Sequence, residues 1–138
     1  MTGETQVVFV KLDQLQPSQL YVSQDKLSAI YATTDFFSPE GVQPIPIKDL
    51  GGLSVMTDGH TRALAAYLAG LTCVPTYDDP DDLDWEAYQI CVDWCRVEGI
   101  HSVADLADRV VNAEDYERLW YDRCRVMQAD LAKKRKQA

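Results

Sequence analysis

The spacing of apolar residues changes several times along the chain, and each change marks a new element. Val7-Val8-Phe9-Val10 is an unbroken apolar run, which predicts a strand buried on both faces. Leu12 and Leu15 carry it into a turn at Pro17-Ser18. Ser23 offers an N-cap for a helix to about Tyr31, with Leu27, Ile30 and Tyr31 at helical spacing on one face. The stretch TTDFFSPEGVQ, 33–43, reads as a loop. Its aromatic pair Phe36-Phe37 has two readings: a plug over the core, which is the commoner, and a lid over a ligand.

Period-2 alternation then returns. Pro44-Ile45-Pro46-Ile47 alternates like a strand, and its two prolines restrict it to an edge, a strand start or one-sided pairing. Gly51-Gly52 supplies a hairpin turn into a second strand at Leu53, Val55 and Thr57. That strand breaks at Asp58-Gly59 into Ala- and Leu-rich sequence, a helix from about His60 to Ala69 with Gly70 at its C-terminal stop. Thr72 to Tyr77 is one more strand. The order β-α-β-β-α-β predicts an α/β (α+β) fold, a small mixed sheet with helices packed on it. The end of the Leu53 strand and the start of the His60 helix then fall at an open edge of the sheet, where ligands commonly bind.

At Asp78 the pattern shifts. The run DDPDDLDWE separates a β-containing part, 1–77, from a second part, 78–138, that reads as a helical extension packing on the first. An acidic cluster can hold a hard cation, but this one lacks the glycine and terminal glutamate of an EF-hand, and a solvated linker capping the next helix is the stronger reading. Trp85, Tyr88, Cys91, Val92 and Cys95 share one face of a helix over about 83–98, stopped by Gly99-Ile100. Ser102 with Asp105 opens a short helix to about Val111. Asn112 caps a longer one whose stripe is Tyr116, Leu119, Trp120, Cys124, Met127 and Leu131. That stripe needs a cover, which the 83–98 helix, a homodimer or another protein partner could supply. The basic tail Lys133-Lys134-Arg135-Lys136 suits a helix C-terminus better than a nucleic-acid arm.

Charge narrows the function classes. With 13 basic and 22 acidic residues the net charge is −9, which argues against broad nucleic-acid binding, an affinity that comes from neutralising phosphates. No apolar run nears the roughly 20 residues of a membrane-spanning helix, and MTGETQ lacks the features of a signal peptide, so a cytoplasmic protein is expected. Cys73, Cys91, Cys95 and Cys124 are too few and scattered for a disulfide scaffold. Cys91 and Cys95 share a face, and a zinc site would need Cys124 and His101 as well; packing is the stronger reading, and no metal ligand is assigned.

Candidate chemistry concentrates at DGHTR, 58–62. Unpaired N–H groups and the dipole at a helix start favour an anion there, and a guanidinium with an imidazole completes a phosphate cradle. The plain alternative makes Asp58 an N-cap with His60 and Arg62 solvated beside it.

The segment DGHTRALAAYLAG followed by VPTY resembles the signature of the ParB/sulfiredoxin superfamily, a Gly-His-x-Arg type turn between a strand and an Ala-rich helix. The likeness extends to VFVKLDQLQPSQ and PIPIKDL and covers about Val7 to Tyr77. Within that superfamily the turn is most similar to the ParB-like nuclease and free-serine-kinase branches. There are departures. Sulfiredoxin places a catalytic cysteine in this turn, and here the nearest, Cys73, lies beyond the helix. Chromosome-partitioning members carry an arginine pair and a DNA-reading helix-turn-helix. The serine kinases place a catalytic glutamate shortly after the first strand, where this chain reads Gln16-Pro17-Ser18-Gln19, with no carboxylate until Asp25.

The resemblance implies a nucleotide or phosphorylated small molecule as ligand, with ATP or ADP and magnesium as candidate cofactors. Gly59, His60, Thr61 and Arg62 would bind it, Asp58 and His60 would be the catalytic candidates, and Gln19 would touch the substrate. Phosphoryl transfer or phosphodiester hydrolysis is the implied chemistry. The rival expectation is a non-enzymatic scaffold whose helical half binds a protein partner.

Overall fold

The structure, a computed structural model, describes residues 6–137; the polar stretch 1–5 and Ala138 lie outside the described residues. The chain is mixed α/β. Strands β1 (Val8–Lys11), β2 (Leu15–Gln16), β4 (Ile45–Leu50), β5 (Leu53–Met56) and β6 (Cys73–Asp78) form one sheet in the order β1-β6-β4-β5-β2. β3 (Val22–Ser23) and β7 (Val110–Val111) pair in parallel as a separate ribbon.

Local chemistry explains most element ends. Ser23 accepts a hydrogen bond from the Lys26 N–H and starts α1 (Gln24–Thr33). Gly51 and Gly52, with φ of 62° and 87°, make the tight turn that returns β4 onto β5, where Leu50 faces Leu53. Gly59 is the N-cap of α2 (His60–Leu68). Asp84 caps α3 (Trp85–Val97) by accepting from the Ala87 N–H. Asn112 does the same for α4 (Ala113–Tyr116) through the Asp115 N–H. The backbone then passes through a π-helical turn at Glu117–Tyr121 into α5 (Asp122–Gln137), which carries the basic cluster in its last turn.

Two features differ from the pattern-based expectation, and a third, the place of the prolines in β4, falls on one of its alternatives, the strand start. The Val7–Val10 run is not buried on both faces. β1 is an edge strand paired only with β6, and Val8 and Phe9 are 52% and 46% exposed. The proline-bearing strand β4 is central, antiparallel to β5 and parallel to β6. It tolerates Pro46 because that residue lies at the strand start, where its carbonyl accepts the Thr57 N–H at 3.0 Å. The segment Val103–Arg109 is a run of 3-10 turns leading into β7; Asp105 still reaches back to the N–H groups of His101 and Ser102.

One apolar core runs through both halves of the chain. Leu15, Leu20, Ile45, Met56, Leu64 and Val74 from the first half pack with Cys95, Ile100, Val103, Leu106, Tyr116 and Trp120 from the second. Of the loop aromatics, Phe36 packs edge-on against Tyr31 with ring centroids 5.7 Å apart, whereas Phe37 is 94% exposed.

Candidate functional site

The turn between β5 and α2 opens onto a cavity of about 340 Å³, with Gly59, His60, Thr61 and Arg62 on one wall and Gln19, Lys26 and Tyr116 on the other. A second cavity of about 190 Å³, between α2 and the helices α3 and α5, shares His60 and Gln19 as a common wall. The predicted site residues Gln19, Asp58, Gly59, His60, Thr61 and Arg62 therefore converge on one hollow.

α2 starts directly at the Gly59 turn. The first intrahelical bond runs from the Ala63 N–H to the Gly59 carbonyl, and no side chain caps the helix, so the N–H groups of residues 60 to 62 face outward along its axis. Gly59 has φ +77°, and a Cβ there would lie 2.9 Å from Arg62 Nη2 and 3.4 Å from Ile45 Cγ1. Its missing side chain is what lets the Arg62 guanidinium fold back across the turn.

Arg62 is half-buried. Its Nη2 donates to the Pro44 carbonyl at 3.0 Å, and its Nε is a buried nitrogen without a hydrogen-bond partner among the described residues. Burial pulls its pKa down, and Asp58 and Tyr77 oppose that pull.

His60 is only 4% exposed, and its Nε2 accepts the Ser18 backbone N–H at 2.9 Å. A ring that accepts at Nε2 is neutral and carries its proton on Nδ1. Burial pushes its pKa down to about 4, with Asp58 acting in the opposite direction. This geometry leaves Nδ1–H as the hydrogen-bond donor and removes Nε2 from proton transfer. Asp58 is exposed, and its carboxylate accepts the N–H of Gly59 at 2.8 Å instead of capping the helix further in.

The opposite wall comes from distant parts of the chain. Gln19 Nε2 donates to the Tyr21 carbonyl at 2.7 Å and to the Tyr116 hydroxyl at 2.8 Å. Lys26 Nζ donates to the Tyr121 hydroxyl at 2.8 Å and stands 5.0 Å over the Tyr116 ring. Sequence spacing gives neither Lys26 nor Tyr116 a place at the site: Lys26 follows the Ser23 cap by three, and Tyr116 reads only as the first residue of the apolar stripe of the last helix. The π-helical turn directly after Tyr116 carries Tyr121, whose ring centroid lies 4.9 Å from that of Tyr116 on this wall.

The neighbouring segment, Gln16 to Ser18, is committed to structure. Gln16 is buried, donating to the carbonyls of Pro17 and Ile100 and accepting from Arg96 Nη1, each at 2.9 Å. The Ser18 hydroxyl donates to the Met56 carbonyl at 2.7 Å. Asp25 does not line the cavity.

No group of three or more His, Cys, Asp or Glu side chains that could hold a metal ion is found among the described residues. No helix among the described residues is long and apolar enough to cross a membrane.

Comparison with known proteins bears on the fold. No protein-family model matches the chain, and no curated protein matches it. Among solved structures it is similar to protein Atu1540 from Agrobacterium tumefaciens, with a TM-score of 0.51 and 18% identity over 75% of this chain and 62% of that one. The chain spans less than two thirds of that protein's length, and at this identity the likeness concerns the fold alone.

Proposed function

We propose that the hollow at the start of α2 binds a phosphate-bearing ligand, a nucleotide or phosphorylated small molecule. The observation that carries this reading is the pairing of an uncapped helix N-terminus with Arg62, whose buried Nε lacks a partner. An unpaired buried donor costs about 1–3 kcal/mol. A ligand oxygen that draws the guanidinium toward the cavity relieves that cost and gains a charged hydrogen bond. Lys26 supplies a second cation from the facing wall, and Gln19 and Tyr116 supply neutral polar contacts to the rest of the ligand.

In this reading Gly59, Thr61 and Arg62 hold phosphate, and His60 fixes the turn and offers Nδ1–H. Phosphoryl transfer or phosphodiester hydrolysis would fall to Asp58, the exposed carboxylate at the rim, as the group that orients a magnesium-bound water when ATP or ADP is the ligand. The test is a thermal-shift screen with ATP, ADP, CTP and inorganic phosphate, with and without magnesium, on the wild type and Arg62→Ala. Stabilisation by one of them that Arg62→Ala loses supports the site. The same stabilisation in both proteins would place the ligand elsewhere, and no stabilisation would remove the reading.

A second reading, a non-enzymatic interaction module, is favoured by one observation in the helical half. α3 and α5 flank a groove of about 250 Å³ whose apolar lining is Ile90, Trp94, Val126, Met127 and Leu131, with Arg123, Asp130 and Lys134 among the rest of its wall. Under this reading Val126→Glu abolishes partner capture and leaves the thermal-shift response unchanged.

A further inference from the structure

The smaller cavity brings together Cys91 of α3 and Cys124 and Met127 of α5. None of these side chains has a part in the phosphate reading. Cys91 is buried and Cys124 partly exposed, so the two thiols differ in what can reach them. The helices that carry them are held side by side at separate points. Trp94 packs edge-on against Trp120 with centroids 6.3 Å apart, and Arg135 pairs with Asp84 at 2.9 Å. The sulfurs lie between these clamps.

We propose that Cys91 and Cys124 form a reversible disulfide joining α3 to α5, closed by a low-molecular-weight disulfide such as oxidised glutathione. Both thiols line this one small cavity between the two helices, so the side chains that must meet in the bond already face the same space.

The pair is chemically asymmetric. The hydrogen bond from Cys91 holds the Cys124 thiol below its ordinary pKa against the effect of burial, and Arg123 and Arg125 add to that lowering. The same bond, together with burial, pushes Cys91 up. Cys124 is thus the exposed nucleophile and Cys91 the resolving thiol. The other cysteines are placed differently: Cys95 is fully buried with its pKa pushed up to about 12 by that burial, and Cys73 begins β6.

The exchange proceeds in two steps. The Cys124 thiolate attacks one sulfur of oxidised glutathione, forming a mixed disulfide and releasing one glutathione thiolate. Cys91 loses its proton to water, and its sulfur attacks Cys124 Sγ and expels the second glutathione. The two cysteines are oxidised, one glutathione disulfide is reduced, and the protons shed by the cysteines end on the two released glutathiones.

The 138-residue chain would be equilibrated in glutathione buffers of graded potential, quenched with iodoacetamide and mapped by peptide mass spectrometry. The expected result is a Cys91–Cys124 cross-linked peptide that dithiothreitol removes, with Cys73 and Cys95 alkylated throughout and the Tm of the oxidised protein raised. Cys91→Ser should trap Cys124 as a stable glutathione adduct, and Cys124→Ser should leave Cys91 unmodified. A wild-type protein that stops at the Cys124 mixed disulfide, cross-links through Cys73 or Cys95, or stays fully reduced in the most oxidising buffer overturns the proposal. The wild-type map decides the matter even where a serine variant fails to fold.

Discussion

The backbone N–H of Ser18 donates to Nε2 of His60 at 2.9 Å, binding the turn after β2 to the first residue of α2. The bond exists only while the ring is neutral, because an imidazolium has a donor at both nitrogens. Burial lowers the His60 pKa from its ordinary 6.5 to about 4, so as pH falls the unfolded chain takes up this proton first. The stability this contributes is complete above pH 6.5 and is lost progressively as pH drops toward 4, in total about 3 kcal/mol. Thermal unfolding followed across that window should fall more steeply for the wild type than for His60→Gln, which keeps an acceptor near the Nε2 position and has no proton to gain. Parallel profiles for the two proteins would refute the latch.

Gly59 answers two demands, a left-handed φ of +77° and the space taken by the Arg62 guanidinium 2.9 Å from where a Cβ would stand. Gly51, at φ +62°, has a similar backbone and open space around it. Gly51→Ala should therefore cost about 1 kcal/mol from conformation alone. Gly59→Ala should cost about 1–3 kcal/mol and displace Arg62, since the far end of that side chain is what must move. Equilibrium denaturation of both variants gives the comparison, and equal losses would show that the contact with Arg62 adds nothing.

How much of this site could be read from the sequence depends on the distance over which each feature is decided. Ser23, Asp84 and Asn112 cap helices through bonds to N–H groups three residues on, and Gly51-Gly52 closes its hairpin within one turn, so local spacing reveals them. The convergence of residues 58–62 on a cavity is legible for the same reason. The central place of β4 is not, because pairing with β6 is settled by chain far away and the two prolines leave an edge, a strand start and one-sided pairing equally open. Lys26 and Tyr116 reach the cavity only through tertiary packing, and the π-helical turn that sets the aromatic wall has no local signature. The exposure of Val8 and Phe9 follows from β1 standing at the sheet edge, which an apolar run cannot announce.

The Gln16 side chain is saturated by Pro17, Ile100 and Arg96, in a position 2% exposed. Arg96→Ala leaves the buried Oε1 without its donor and should cost about 1–3 kcal/mol. Gln16→Leu, which removes the polar group but strands the Ile100 carbonyl, should also destabilise. The double variant should lose clearly less than the sum of the two, because each removes the partner the other depends on. Additive losses in chemical denaturation would mean that the two side chains act independently.

The two halves are expected from sequence as a domain, 1–77, with an extension packed on it, but the core gives them a single fate. Leu15, Val22 and Leu64 pack in the same cluster as Ile100, Val103 and Leu106, and β3 has β7 as its strand partner. Cutting at Asp78 would expose the apolar faces of both pieces and take away two of the Gln16 side chain's three partners, Ile100 and Arg96. A fragment of 1–77 should then show no cooperative thermal transition, while the whole chain unfolds in one step seen alike by far-ultraviolet circular dichroism and tryptophan fluorescence. The fluorescence arm is informative because Trp85, Trp94 and Trp120 all lie in the second half whereas the sheet lies in the first. Two separated transitions, or a fragment that melts cooperatively, would show that the first half holds its fold without the helices that wall its cavity.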